Sequence, residues 1–232
     1  MFGGLPNAVG TIAAETRSPI RKPGEKRRGD WLLIIVRILD FHLVPCKLLS
    51  TYARGVDPGL AFPAHPDKVP ALHRQPLIEQ LGYYALRHPE EQGVLAPFTC
   101  FVESEPDCFR RELSVGHITG SAWVVNADGS EVLLTHHRKL DCWLQLGGHA
   151  DGDPDVLSVA MKEAEEESGL VGFTHVGPGI FDIDIHPIPA RKGEPGHLHY
   201  DVRYVLRANG SIDYIVSDES HDLRWVKPEE VE

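Results

Sequence analysis

The clearest periodic signal lies between Leu72 and Leu86, where Leu77, Ile78, Leu81, Tyr84 and Ala85 recur at three- and four-residue spacing. That spacing lines apolar side chains along one side of an α-helix, and Pro89 closes it. A connector from Glu90 to Glu112 then leads into Gly116–Val125, whose β-branched and aromatic residues predict a core strand. Asn126-Ala127-Asp128-Gly129 reads as a hairpin turn, with Glu131–His137 as the returning strand. A short strand over Trp143–Leu146 ends in Gly147-Gly148.

A helix is expected next. Asp153 suits its N-cap, Pro154 its first position, and Asp155 adds a carboxylate near the positive end of the dipole. Gly169 supplies the stop. Strands follow over Gly179–Ile185 and Leu198–Arg207, joined by the Pro- and Gly-rich loop His186–Gly196, with a last strand near Leu223–Val226. No internal repeat is visible. Strands on both sides of a central helix, with a helix at each end of the order, predict a mixed α+β fold or an α/β/α sandwich.

Residues 1 to about 70 are rich in Gly, Pro and Arg and read as an N-terminal extension, with a folded domain over 71–232. Their apolar run, Trp31–Leu39, is interrupted by Arg37 and falls well short of the about 20 residues of a membrane span. The basic stretch before it (Arg21, Lys22, Lys26, Arg27, Arg28) is like a signal-peptide n-region, yet no small-residue cleavage site follows. No membrane partner is expected.

Hydrophobic residues at 42% and charged ones at 25% fit an ordinary globular protein and exclude wholesale disorder or a fibrous repeat. The formal net charge of -11 argues against binding a nucleic-acid polymer, which takes clustered Lys and Arg. An acidic protein that handles phosphate needs metal ions or a local basic patch. Cys46, Cys100, Cys108 and Cys142 show no CxxC spacing, so free thiols, mostly buried, in a reducing, cytoplasmic setting are expected.

Glu163, Glu166 and Glu167 stand at i, i+3 and i+4, which places three carboxylates on one side of the helix. Like charges at that spacing repel by a few tenths of a kcal/mol in water and by more where water is excluded. Two readings fit: a solvated acidic surface, or a site for a hard cation such as Mg²⁺ or Mn²⁺, which prefer carboxylate, carbonyl and water oxygens.

Gly148, Lys162-Glu163-Ala164, Glu166-Glu167, Gly169 and Leu170 fall at the spacings of the Nudix box, and the chain resembles a Nudix (MutT-like) hydrolase. The box covers Gly148 to Leu170, and the strand order over about Gly116–Val226 resembles the rest of that domain. Two positions depart from the pattern. Pro154 stands where the family has its first Glu, and Lys162 where it has Arg. That pair braces the loop-helix-loop in the family, a role the resemblance gives here to Lys162 with Asp153 or Asp155, less rigidly for want of Arg's fork.

The resemblance implies an α/β/α sandwich with a mixed sheet and a loop-helix-loop catalytic motif. It implies Mg²⁺ or Mn²⁺ held by Glu163, Glu166 and Glu167 with a backbone carbonyl at Gly147 or Gly148, and Glu166 or Glu163 as proton acceptor. Arg138 and Lys139 are the first candidates for substrate phosphates, with Arg191, Lys192 and Arg203 behind them. Glu219, outside the box, is a candidate to complete the set.

His197, His199 and Asp201 alternate along one expected strand and so share a face. A metal site and a hydrogen-bonded wall of the substrate pocket both fit them. His149 and His117 are weaker candidates for the cleft. Trp143 and Tyr200 could stack on a base or sugar, although Trp in a short strand is more often core.

The expected activity is metal-dependent hydrolysis of a pyrophosphate bond in a nucleoside diphosphate linked to another moiety, or in a similar phosphorylated metabolite. A non-catalytic nucleotide-binding module is the alternative from another class. Isomerisation of an isoprenoid diphosphate is a third reading, requiring a Cys such as Cys142 in the pocket. A homodimer is compatible with the family.

Overall fold

A computed structural model of the chain describes residues 72–191, 193 and 195–231. The extension expected over 1–70, with its apolar run, basic stretch and Cys46, lies outside the described residues, as does Lys192. The helices are α1 (Gln75–Arg87), α2 (Gln92–Ser104) and α3 (Val156–Ser168). The strands are β1 (Gly116–Val125), β2 (Val132–His137), β3 (Cys142–Leu144), β4 (Leu146–His149), β5 (Phe173–Val176), β6 (Asp182–Ile188), β7 (His197–Ala208) and β8 (Ser220–Val226).

The apolar stripe of α1 does what its spacing predicts: Leu77, Leu81 and Tyr84 are buried, while Tyr83 and Leu86, off the stripe, are exposed. The connector expected over 90–112 holds a second helix instead. Gly93 and the interior Pro97 both lower helix propensity in α2. Its Leu95, Phe98, Phe101 and Val102 are all buried at helical spacing, and that tertiary packing overrides the local penalty.

All ten residues of β1 are buried, as a central strand requires. One edge of β1 runs parallel to β7 along its whole length, from Gly116↔Leu198 to Val125↔Arg207. The other edge is shared, with β4 antiparallel at Thr119–Ala122 and β2 antiparallel at Val124–Val125. β2 also pairs with β3 and β8, while β7 also pairs with β5 and β6. The result is a mixed sheet with helices, the α+β class expected.

Several boundaries differ from expectation. The strand expected over 143–146 is two strands, because the chain changes partner at Gln145 from β2 to β1, and Gly147 and Gly148 lie inside β4. β5 was not predicted, β6 is shifted to Asp182–Ile188, and β8 starts at Ser220. After β8 the described chain makes only a 3₁₀ turn, Pro228–Glu230, where a closing helix was expected. Among the described residues no helix is long and apolar enough to cross a membrane.

Strand alternation gives the sheet two unlike faces. Gly120 of β1 admits Val156 and Val159 of α3 on one face, where Ile118, Ala122, Val202 and Tyr204 are also buried. Tyr200 on that same face stacks on Phe101 of α2, ring centroids 3.7 Å apart. The opposite face carries His117, Thr119, Ser121, His199, Asp201 and Arg203. Beyond them Trp123, Val125 and Val205 join Val132, Leu134 and Phe181 in a second, smaller apolar cluster.

Candidate active site

Local chemistry at both ends of α3 fixes which of its side chains face the sheet. Asp155, not Asp153, is the N-cap: its carboxylate accepts from the Ser158 N–H at 3.1 Å and the Ser158 hydroxyl at 2.8 Å. Asp153 accepts from the Asp155 N–H at 2.9 Å and shapes the loop, so Pro154 also lies before the helix. At the far end Gly169 takes the left-handed conformation, φ 69°, and donates to the Glu165 carbonyl at 2.8 Å.

Between these ends the three glutamates sit in graded surroundings. Glu167 is buried, and its Oε1 accepts from the Gly147 N–H at 2.9 Å. Burial pushes its carboxyl up to about 7; the Gly147 bond opposes that, while Glu163 and Glu219 add to it. Glu163 is half-buried and also held above its ordinary value, by burial first, with Lys162 opposing and Glu166, Glu219 and Asp151 contributing. Glu166 is exposed.

Gly148 explains why a glycine opens this motif. A Cβ there would stand 2.5 Å from the Glu163 carboxyl carbon, so the carboxylate reaches β4 only because no side chain is present. Lys162 does not brace Asp153 or Asp155. Those carboxylates are engaged at the start of the helix, and Lys162 Nζ instead lies 3.5 Å from Glu166, one turn ahead.

Glu219 stands beside this cluster, since its charge reaches both Glu163 and Glu167. Its carbonyl accepts from the Arg138 N–H at 2.9 Å, and Arg138 Nη2 donates to the Ser220 carbonyl at 2.8 Å. The adjoining Lys139 is exposed. His137 is held below its ordinary value by burial, with Lys139 and Arg191 adding to the effect and Glu219 opposing it, so these charges share one rim. Arg203 does not join them. Its guanidinium is buried and bonds Asp201 at 2.7 Å, Asp182 at 2.8 Å and Asp184 at 3.0 Å. Burial alone would lower its pKa, but the three carboxylates raise it.

His197 and His199 do share a face, and the sheet brings His117, His149 and His186 to them. Burial first, then the neighbouring imidazoles, lower His117 to about 4 and His199 to about 2. Only the His197/His199 pair was visible as a cluster in the sequence, since strand register assembles the rest. Tyr200 is taken up by Phe101 in the core. Trp143 is not core: it is 38% exposed, stacked on His136 with Arg224 over its ring. Cys100, Cys108 and Cys142 are free thiols, and of these only Cys108 is buried.

The arrangement offers oxygen donors with raised proton affinity, an external carboxylate and a basic rim, a set suited to a hard cation and an anionic ligand. A NUDIX domain model matches residues 117–232, half of the chain. Similar solved structures include an Ap4A hydrolase binary complex from C. elegans, at 19% identity and TM-score 0.38, with 47% of this chain and 79% of that one covered. A NUDIX family hydrolase from Clostridium perfringens has 25% identity and TM-score 0.34, over 48% of this chain and 81% of that one. A MutT NUDIX hydrolase from Burkholderia pseudomallei has 24% identity and TM-score 0.35, over 48% and 83%. No curated protein matches the chain.

Proposed function

The chain belongs to the Nudix family, and from that premise we propose that it is a pyrophosphohydrolase that cleaves a nucleoside diphosphate linked to another moiety at the carboxylate side of α3. Nudix hydrolases generally need divalent metal ions. The observation that carries the reading is the crowding of Glu163 and Glu167 against Gly147 and Gly148, with both carboxyls held above their ordinary values. Such a cluster is stabilised when a cation offsets its mutual repulsion.

Glu163, Glu166 and Glu167 would hold Mg²⁺ or Mn²⁺, with the Gly148 carbonyl as a further oxygen donor; an all-oxygen set fits these ions and not soft ones. Bound there, the ion supplies charge neutralisation at the pyrophosphate and acidifies a water. The chain's own groups do the rest. Glu167 is oriented by the Gly147 N–H. Lys162 positions Glu166, and Glu166 or Glu163 accepts the attacking water's proton. Arg138 and Lys139 bind the substrate phosphates, and Glu219 closes the carboxylate ring from β8's approach.

Release of a nucleotide product from nucleotide sugars, dinucleoside polyphosphates and NAD-like dinucleotides, with Mg²⁺ or Mn²⁺, tests this. At least one compound is expected to be cleaved, and Glu166→Gln to slow it by about 10²–10⁴-fold. No cleavage with either ion, together with an unchanged Glu166→Gln variant, would overturn the proposal. A ligand bound tightly in calorimetry and recovered intact would make the site a nucleotide-binding module instead.

A further inference from the structure

The carboxylate chemistry above makes no use of the imidazoles on the other face of the sheet. His197 and His199 are two residues apart on β7 and therefore point the same way. Parallel pairing sets His117 opposite His199, and antiparallel pairing sets His149 opposite Thr119 and His186 opposite His199. The ring of His117 lies 4.9 Å, centroid to centroid, from each of His149, His197 and His199. Four strands thus deliver five imidazoles to one place.

The nitrogen positions are informative. One ring nitrogen each from His117, His197 and His199 lie within 4.8 Å of one another, and His197 Nε2 stands 3.3 Å from His199 Nε2. Two nitrogens bound to a tetrahedral ion at about 2.0–2.1 Å are about 3.3 Å apart. His197 Nδ1 lies 3.0 Å from the Pro195 carbonyl, which fixes its proton there and leaves the Nε2 lone pair facing the cluster. His117 is 2% exposed, and neither of its nitrogens has a hydrogen-bond partner among the described residues. An orphaned buried polar group is unfavourable, and a ligand at that nitrogen would remove the cost.

We propose that His117, His197 and His199 bind one transition-metal ion of the zinc class, at a site distinct from the carboxylate cluster of α3. Imidazole nitrogens select Zn²⁺, Co²⁺, Ni²⁺ or Cu²⁺ over Mg²⁺, whereas the glutamates favour the hard ion. The rings of His149 and His186, 5.1 Å and 5.4 Å from that of His199, add further nitrogen donors beside the three. Alternation along β4 keeps the two sites apart: Gly148 faces Glu163, and the next residue, His149, faces the imidazoles. The ion ties β1 to β7 at the end of their ladder.

The test is titration of the full chain, without a polyhistidine tag and stripped with EDTA, with Co²⁺ alone. One equivalent is expected, with the visible absorption of a nitrogen-ligated ion, displaced by Zn²⁺ and not by excess Mg²⁺. His199→Asn, and the half-exposed His197→Asn as a milder change, are each expected to lose that equivalent with circular dichroism unchanged, and Glu163→Gln to keep it. The proposal is overturned if the stripped wild-type chain takes up no Co²⁺, if both histidine variants retain the full equivalent, or if Glu163→Gln alone abolishes it. The readout is metal content, so failure of hydrolysis leaves it intact.

Discussion

Two groups in this molecule each combine three carboxylates with one cation, and they are assembled in opposite ways. On α3, Glu163, Glu166 and Glu167 have Lys162, which is exposed and approaches only Glu166, at 3.5 Å. Across the sheet, Asp182, Asp184 and Asp201 have Arg203, which is buried and bonds all three at 2.7 to 3.0 Å. Thr119 and Ser121 add hydroxyl donors to Asp201 at 2.8 and 2.7 Å. The second group is completed by the protein and holds β6 to β7. The first is left short of positive charge, and burial first, with the neighbouring carboxylates adding to it, holds the Glu163 and Glu167 carboxyls above their ordinary values. Equal charge counts therefore serve different ends, and whether the cation reaches every carboxylate tells them apart.

The contrast breaks most visibly through catalysis. Glu163→Gln is expected to reduce turnover by about 10²–10⁴-fold while leaving the thermal midpoint unchanged or higher, because a crowded, partly desolvated charge is removed. A large loss of stability in that variant would place Glu163 in the structural class with Arg203. Conversely, Arg203→Met should destabilise the fold by about 3–5 kcal/mol in denaturant unfolding, since it strands buried carboxylates. If stability is retained, the aspartate group is not the internal clamp described here.

Acid–base behaviour gives the next effect. The Glu167 carboxyl sits at about 7 in the folded chain against an ordinary 4.5, so folding favours its protonated form. The metal-free protein should then lose stability as pH rises from about 4.5 to 7, by roughly 3 kcal/mol at most from this group. Mn²⁺ should offset that loss near pH 7, and Glu167→Gln should flatten the slope. Chemical denaturation at fixed pH values, with and without Mn²⁺, measures it; a slope of the opposite sign would contradict the burial-driven shift. Smallest is the cap. Asp155→Ala should cost about 1 kcal/mol, whereas Asp153→Ala should leave the helix start intact.

Much of this was legible from local patterns. β1 covers the ten residues its β-branched and aromatic content predicts, and Gly169 ends α3 as its lack of a Cβ allows. The spacing of Glu163, Glu166 and Glu167 by itself puts them on one side of a helix. What escaped depends on partners far along the chain. α2 was hidden by Gly93 and Pro97, whose local cost is overcome by burial of Phe98 and Phe101. Asp153 and Asp155 are equally good caps by type, and only the loop geometry selects between them. Arg203 looked like a phosphate ligand because nothing local shows that β6 and β7 surround it with aspartates. The convergence of His117, His149 and His186 on His199 is likewise a product of register.

The parallel ladder between β1 and β7 has a kinetic consequence. It joins positions such as Thr119 and Asp201, 82 residues apart, so the intervening loop must close before any of its contacts can form. Such non-local pairing slows folding relative to local hairpins. The helix bearing the glutamates can be made and capped from nearby residues alone, well ahead of that closure. The imidazole cluster cannot exist until the last strand of the ladder has been synthesised and docked. The helix that bears the glutamates can therefore precede the imidazole cluster in the life of the chain, whereas the carboxylate ring waits for Glu219, which follows β7.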